Sequence, residues 1–250
     1  MTVLSVNLNK VALLRNQRDL EMPDVVKTGA KCLDAGAHGL TLHPRPDERH
    51  ALPRDVLALA GLIRERRADQ PWVEFNVEGN PFPEFLELVT AAMPHQCTLV
   101  PDAHNARTSD QGWNVAKDGD RIRRIVEMLH GLGIRVSVFM DPDIEQIERV
   151  SGTGADRIEL YTEPYAKAWG TSEQERVTAH YAQAALRAQQ MGLGVNAGHD
   201  LNLANLGHFC RMVPNVLEVS IGHAITADAL DMGWTAAVKA YVAQLTEPHS

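Results

Sequence analysis

Residues 39–50 read GLTLHPRPDERH and place a strand, a stiff loop and a cluster of basic side chains within twelve positions. The apolar run GLTL ends at His43, and Pro44 and Pro46 then flank Arg45. Because proline fixes φ at about −65° and biases the residue before it towards extended geometry, this loop is stiff. The segment predicts a strand whose end presents imidazole and guanidinium groups, which suits an anionic substrate and proton transfer.

The same alternation of a short apolar run and a longer helical pattern continues along the chain. Strands are predicted at 3–8, 39–43, 72–77, 96–101, 135–141, 157–162, 193–198 and 217–222. Helical patterns follow near 23–35, 53–68, 82–92, 118–132, 143–153, 172–191, 202–212 and 227–245. Eight strands, each followed by a helix, are the count of a (β/α)₈ barrel.

A doubly wound open sheet is the alternative to the barrel. It would usually have fewer strands and a glycine-rich phosphate turn after the first one. Here Asn9 and Lys10 follow the first strand, and no GxGxxG occurs. We therefore expect residues 1–250 to form a single (β/α)₈ TIM barrel domain.

Composition limits the classes of partner. Hydrophobic residues make up 44% of the chain and charged residues 22%, as in ordinary soluble proteins. The net charge of −8 argues against nucleic acid or a membrane surface as partner, since both favour a basic face. The three cysteines lack metal-finger spacing, and we find neither a signal-peptide pattern nor an apolar run of about 18 residues. We expect a cytoplasmic protein.

One long stretch, residues 101–117, is polar and has no periodicity. In a barrel it follows the fourth strand, on the face that carries chemistry. It is therefore predicted to act as a mobile lid.

Polar residues or glycines stand at the ends of seven of the eight predicted strands. They are Asn7, Asn9, Lys10, His43, Arg45, Glu74, Asp141, Glu159, Thr162, Asn196, Gly198, His199, Gly222 and His223. Barrel enzymes draw their catalytic groups from the carboxyl ends of several strands, so these residues predict an active site. Glu74 and Glu159 lie inside apolar runs, and each could instead face outwards.

The last two predicted strands both end in Gly-His, in NAGHD (196–200) and SIGHAI (220–225). The loops after strands seven and eight commonly bind phosphate in barrels, because glycine lets an anion approach the backbone N–H groups. These two motifs predict a phosphate site.

Several kinds of function compete at this point. The first strand lacks the HxH of barrel metallohydrolases, and strands five to seven lack a lysine for a Schiff base. A lyase or aldolase acting on a phosphorylated ketone remains possible, as does a non-catalytic protein that binds phosphorylated metabolites. His43, Glu74 and His199 argue against the binding-only alternative, because binding a phosphate does not require three groups that can transfer protons.

Seven segments together resemble the pyridoxine 5′-phosphate synthase family, in order and spacing, from about residue 3 to residue 245. They are VNLNKVALLRNQR (6–18), GLTLHPRPDERH (39–50), VEFNVE (73–78), LVPD (99–102), RIELYT (157–162), VNAGHDL (195–201) and EVSIGHAI (218–225). The resemblance implies a (β/α)₈ barrel, a homo-octamer, and neither a metal nor an organic cofactor. The implied reaction joins 3-amino-2-oxopropyl phosphate to 1-deoxy-D-xylulose 5-phosphate, releasing phosphate and water.

The resemblance also implies residue roles. His43 and Glu74 would accept protons, His199 would donate one, and Glu159 would stabilise a cationic intermediate. Substrate-binding roles would fall to Asn7 and Arg18 for the amino ketone, Gly222 and His223 for its phosphate, and Arg45, His50 and Thr108 for the deoxyxylulose phosphate.

The chain departs from the family pattern at two places. Asn9 and Lys10 replace an Asp-His pair that would contact the deoxyxylulose phosphate, and Asp200 replaces a glycine after His199. We expect all three to lie at the substrate site with altered contacts, unless Asp200 caps the next helix.

Overall fold

Eight parallel strands close into a barrel in the computed structural model, which describes residues 1–103 and 109–246. They are β1 (Val3–Asn7), β2 (Gly39–Leu42), β3 (Glu74–Gly79), β4 (Gln96–Leu99), β5 (Arg135–Met140), β6 (Arg157–Tyr161), β7 (Gly194–Gly198) and β8 (Val216–Ile221). Neighbours in the barrel follow chain order, and β8 pairs with β1. The predicted (β/α)₈ architecture is confirmed.

Eleven α-helices surround the barrel within the described ranges. They are α1 (Asn9–Arg15), α2 (Val25–Asp34), α3 (Pro53–Arg66), α4 (Pro83–Ala92), α5 (Val115–Gly131), α6 (Ile144–Val150), α7 (Glu163–Ala168), α8 (Gln174–Gln190), α9 (Leu206–Met212), α10 (His223–Met232) and α11 (Trp234–Thr246). Within the part of the chain that the structure covers, none of them has the length and apolarity needed to cross a membrane.

Two short helices at the mouth of the barrel were not predicted, and a third was predicted only as part of a longer helix over 227–245. Helices α1, α7 and α10 directly follow β1, β6 and β8. The first two are seven and six residues long, too short for a helical period to stand out. The third was merged with α11, although Gly233, at a φ of 81°, separates the two. All three carry side chains to the carboxyl ends of the strands.

The position of β3 decides which glutamate reaches the site. The strand runs from Glu74 to Gly79, two residues later than predicted, and Glu74 pairs with Gly39, the first residue of β2. Glu74 therefore lies at the amino end of the barrel. Because side chains alternate along a strand, Glu78 lies on the same face as Glu74 but near the carboxyl end.

The apolar core lies between the strands and the helices, while the barrel interior is polar. Outward-facing Leu4 and Val6 are inaccessible to solvent. A network of interior side chains closes the amino end, where Arg135 pairs with Glu74 and donates to Gln96 at 2.9 Å. Other members of the network are Asn196, Arg157 and Glu218.

Candidate active site

A cavity of about 550 Å³ lies at the carboxyl end of the barrel, where active sites of this fold occur. Many of its lining residues lie at or near the carboxyl ends of the strands, among them Asn7, His43, Glu78, His199 and Gly222, and Glu159 lies deeper in β6. The sequence motifs are therefore brought together in one place.

His43 follows β2 and is buried in the wall of the cavity. Its Nδ1 lies 3.9 Å from Glu78 Oε2 and its Nε2 lies 3.7 Å from Asp102 Oδ2. Burial lowers the pKa of His43 well below its usual value, and the positive charge of Arg45 adds to this effect. A neutral imidazole can accept a proton, so His43 can act as a base in this cavity.

Glu78 is one of two buried carboxyls beside His43. The Asn7 amide lies 3.5 Å from Glu78 Oε2, and the Ser220 hydroxyl 3.4 Å from Oε1. Burial, reinforced by the nearby Glu218 carboxyl, raises the pKa of Glu78 to about 8. A group that titrates near neutral pH can both take and give a proton during turnover.

The structure places Glu74 outside the cavity lining, away from the position expected for the proton acceptor that the resemblance implies. It lies at the amino end of β3, where it makes a bidentate pair with Arg135. Burial opposes its ionisation, but the Arg135 hydrogen bond and charge outweigh this and lower the pKa of Glu74. The position of Glu74 differs from the expected one because β3 begins two residues later than predicted.

Glu159 points into the barrel from β6 and lines the floor of the cavity. Burial raises its pKa well above the usual value, as do the carboxyls of Glu78 and Glu218. A Cβ atom at position 198 would lie 2.5 Å from Glu159 Oε1. Gly198 is therefore required for Glu159 to occupy this position.

His199 directly follows β7 in an unusual backbone conformation. Its φ is 85°, and that of Asp200 is 57°, so two successive non-glycine residues adopt left-handed geometry. Such strain is concentrated at functional sites in proteins. The imidazole packs edge-on against Tyr161, with ring centroids 5.2 Å apart. Burial lowers its pKa, whereas the nearby Asp200 and Glu163 carboxylates raise it.

Arg45 and His50 place cationic and donor groups on the cavity wall. Arg45 pairs with Asp102 at 2.6 Å, which fixes its guanidinium. The His50 Nδ1 accepts a hydrogen bond from the Ala51 N–H at 2.9 Å, so the neutral ring carries its proton on Nε2. Burial, with the charge of Arg45, lowers the pKa of His50 to about 4. His50 therefore offers a neutral N–H donor.

A second anion-recognising group lies at the start of α10. Gly222 precedes the helix and His223 is its first residue, so backbone N–H groups and the positive end of the helix dipole face the cavity. A Cβ atom at Gly222 would lie 3.2 Å from the Asn7 Cβ. The glycine thus allows Asn7 to pack against the helix start.

Three of the remaining predicted site residues line the cavity, and Arg18 does not. Lys10 and Asp200 line the cavity, and Asn9 does so while its Oδ1 accepts from the His43 N–H at 2.9 Å. Asp200 does not cap α9, because Asn205 stands at that position. Arg18 is exposed beyond the end of α1 and lies outside the cavity lining, so its predicted contact with substrate in the same chain is not supported.

Thr108 lies outside the described residues, as does the centre of the predicted lid. The described part that follows is anchored: the Trp113 indole donates to the Leu99 carbonyl at 2.9 Å, and the Gly112 N–H donates to Asp141. Asp141 therefore has a structural role.

Sequence reasoning missed Glu78, Asp102 and Glu163. Glu78 belongs to the VEFNVE motif, and the correct bounds of the third strand would have placed it near the strand end. Asp102 follows the fourth strand, so the search for polar residues at strand ends should have included it. Glu163 begins the unpredicted α7, and no pattern points to it. Among the residues that the structure describes, no cluster of three or more His, Cys, Asp or Glu side chains is arranged to hold a metal ion.

Comparison with known proteins identifies the family. The family model described as pyridoxal phosphate biosynthesis protein PdxJ matches residues 4–247. The chain belongs to this family. A pyridoxine 5′-phosphate synthase from Albidiferax ferrireducens is 50% identical over 100% of this chain and 99% of its own length. One from Xanthomonas axonopodis pv. citri is also 50% identical, over 99% and 98%. The predicted membership of an enzyme family is confirmed.

Distant solved structures share the fold alone. Tryptophan synthase from Mycobacterium tuberculosis superposes with a TM-score of 0.67 at 11% identity, covering 99% of this chain and 93% of that one. Phosphoribosylanthranilate isomerase from Thermotoga maritima gives 0.59 at 10% identity, with 98% of both chains covered.

Proposed function

We propose that this enzyme condenses 3-amino-2-oxopropyl phosphate with 1-deoxy-D-xylulose 5-phosphate to form pyridoxine 5′-phosphate, with release of phosphate and water. The observation that carries the proposal is the convergence of His43, Glu78 and His199 on one cavity that also has two anion-recognising groups. Relatives that share half of their residues with this chain bear the name of that product.

The reaction requires several proton transfers around one bound pair of substrates. The amine of one substrate condenses with the ketone of the other to give an imine and water, and enolisations then expel phosphate and water before an aldol-type ring closure. Neutral His43 is suited to remove a proton from carbon at the enolisation steps. Glu78, with a pKa of about 8, returns protons or removes a second one.

Glu159 and His199 complete the acid–base set. Burial, with the Glu78 and Glu218 carboxyls, raises the pKa of Glu159 well above its usual value. A cationic iminium would favour its ionisation, so Glu159 responds to the charge that it stabilises. His199 is proposed to donate a proton to the oxygen atom of the water or phosphate that is expelled.

Two separate groups receive the two substrates. Gly222 and His223, with Asn7 beside them, bind the phosphate of the amino ketone at the start of α10. Arg45 and His50 bind the deoxyxylulose phosphate, and Lys10 adds a positive charge on the same wall. Arg is well matched to phosphate because its N–H donors are arranged in a planar fork.

Two further expectations belong to the same proposal. The resemblance to the family leads us to propose self-association to a homo-octamer and a cytoplasmic location. Exposed apolar side chains such as Leu230 and Met22 are compatible with contacts between copies. Light scattering coupled to size-exclusion chromatography measures the mass; a monomer of 27.5 kDa would contradict the octamer.

Incubation of the pure protein with both substrates, followed by the absorbance of the pyridoxine product and by phosphate release, tests the function. Product formed only when both substrates are present is expected. Cleavage of a single phosphorylated ketone would instead favour an aldolase or lyase, and tight binding without product would favour a binding protein.

His43→Ala provides the matched catalytic control. Removal of the base is expected to reduce kcat by about 10²–10⁴-fold, the usual contribution of a positioned acid or base. Circular dichroism should show that the barrel remains folded. A folded variant with wild-type kcat would remove the base role assigned to His43.

A further inference from the structure

Glu163 lies at the rim of the cavity and has two partners of its own. It is the first residue of α7, immediately beyond β6, and its side chain lines the cavity. One carboxylate oxygen is 2.8 Å from the Lys167 ammonium group, and the other accepts the Tyr161 hydroxyl. These two hydrogen bonds lower the pKa of Glu163, so the group carries a fixed negative charge at neutral pH.

Tyr161 transmits this arrangement to His199. Its ring is buried between Phe139, with centroids 5.6 Å apart, and the His199 imidazole, at 5.2 Å with an interplanar angle of 86°. Edge-on geometry of this kind is a preferred arrangement for aromatic pairs. Because Glu163 accepts the Tyr161 hydroxyl hydrogen bond, tilt of the Tyr161 ring is restricted. The imidazole of His199 therefore packs against a ring with a fixed orientation.

The intervening residue holds the backbone of His199. Thr162 is inaccessible to solvent, and its N–H donates to the Gly198 carbonyl at 3.1 Å. Its hydroxyl lies within hydrogen-bond distance of the carbonyl oxygens of Gly198 and His199. This stabilises the left-handed backbone at His199. Three successive residues at the end of β6 and just beyond it therefore act on His199. Thr162 holds its backbone, Tyr161 packs against its ring, and Glu163 contributes a nearby negative charge.

We propose that Glu163 is a positioning residue for His199: it fixes the Tyr161 ring against the imidazole and places a permanent negative charge beside it. The inference rests on the proposed function only in treating His199 as the proton donor. Burial alone disfavours the protonated form that a donor needs, and a neighbouring carboxylate offsets that cost. The other titratable groups that face the imidazole are Asp102, Asp200, Lys10 and His43.

The test measures the pKa of His199 directly, by NMR titration of the histidine-labelled full-length protein without substrate. The His199→Asn spectrum assigns the resonance. Glu163→Gln removes the charge and keeps a hydrogen-bonding group, whereas Tyr161→Phe removes only the hydroxyl. Glu145→Gln is the matched control, because Glu145 also lies in the first turn of a helix and pairs with a basic residue four positions later, Arg149 at 2.9 Å, away from the cavity.

Glu163→Gln is expected to lower the pKa of His199 by about 0.5–1 unit. This is less than the roughly 1–3 units of a close buried pair, because Glu163 is partly exposed and also pairs with Lys167. In turnover assays the limb of the kcat profile that falls with rising pH should move to lower pH by the same amount. Tyr161→Phe should reduce kcat with little change in KM or in the pKa of His199, and Glu145→Gln should change none of these.

An unchanged pKa of His199 in folded Glu163→Gln, or an equal shift in Glu145→Gln, would overturn the inference. The titration does not depend on turnover, so it decides the role of Glu163 as a charge partner even if the proposed reaction is absent. Wild-type kcat in Tyr161→Phe would remove the part of the inference that concerns the ring.

Discussion

Glu74 and Glu78 are the same residue type on the same strand and the same face, yet their chemistry differs. Glu74 meets Arg135 and its pKa is lowered, whereas Glu78 is buried among other carboxyls and its pKa rises to about 8. A separation of four residues spans roughly 13 Å along a strand, which takes the chain from the first residue of β3 to the last but one. The position of each glutamate along β3 therefore decides the direction in which its pKa is shifted.

Exchange of each glutamate for glutamine separates the two roles. Glu78→Gln is expected to lower kcat by about 10²–10⁴-fold, because the amide cannot exchange protons. Glu74→Gln should keep kcat close to that of the wild type and lower the free energy of unfolding by about 1 kcal/mol, since its ion pair is partly exposed. Steady-state kinetics and urea unfolding measure the two effects. A large loss of kcat in Glu74→Gln with little loss in Glu78→Gln would instead support Glu74 as the proton acceptor.

At the scale of elements, the end of α1 organises the basic loop after β2. The Asn16 amide donates to the carbonyl oxygens of Glu48, Arg49 and His50, at 3.3, 3.2 and 2.8 Å. The preceding residue, Arg15, makes a buried pair with Asp55 at 2.5 Å. This short helix therefore holds both the loop and the first turn of α3.

Asn16→Ala is expected to raise KM for the deoxyxylulose phosphate about 5–10-fold, with a smaller change in kcat. The physical reason is that the loop carrying His50 loses hydrogen bonds that together contribute about 1 kcal/mol to its order. Gln17→Ala, at the exposed neighbouring position, is the control and should leave KM unchanged. Equal effects of the two substitutions would show that Asn16 does not organise the loop.

At the scale of the whole molecule, the closed barrel buries several carboxyl groups in its interior. Glu78, Glu159 and Glu218 all have raised pKa values, chiefly because they are buried. The folded state therefore binds more protons than the unfolded chain at neutral pH. The resulting stabilisation is present below the unfolded pKa of about 4.5 and is lost as pH rises through the folded values.

A comparison of thermal unfolding at several pH values tests this dependence. Glu78→Gln removes one such group, so its Tm relative to the wild type should rise between pH 5 and pH 8.5, by at least about 2–4 °C. The window follows from the folded pKa of about 8. Glu127→Gln, on the exposed face of α5, should show a constant difference. A pH-independent difference for Glu78→Gln would mean that this carboxyl is ionised in the folded state.

The residues at the strand ends show how far sequence patterns reach. Eight apolar runs with helical patterns between them were sufficient to predict the barrel, because local periodicity determines which segments are buried strands. Once the barrel is known, its geometry brings the ends of those strands together. His43, Glu159, His199, Gly222 and His223 were located in this way, since each interrupts or ends an apolar run.

The sequence by itself determined the fold, the family and most of the residues that line the cavity. Only the tertiary structure decided which glutamate of β3 lines the cavity, because a strand boundary depends on pairing with its neighbour. The tertiary structure also determines the pKa shifts of the buried carboxyls. The pKa of Glu78 depends on Glu218 and on Ser220, 142 residues away along the chain, and the closed barrel brings these groups together where no local pattern can.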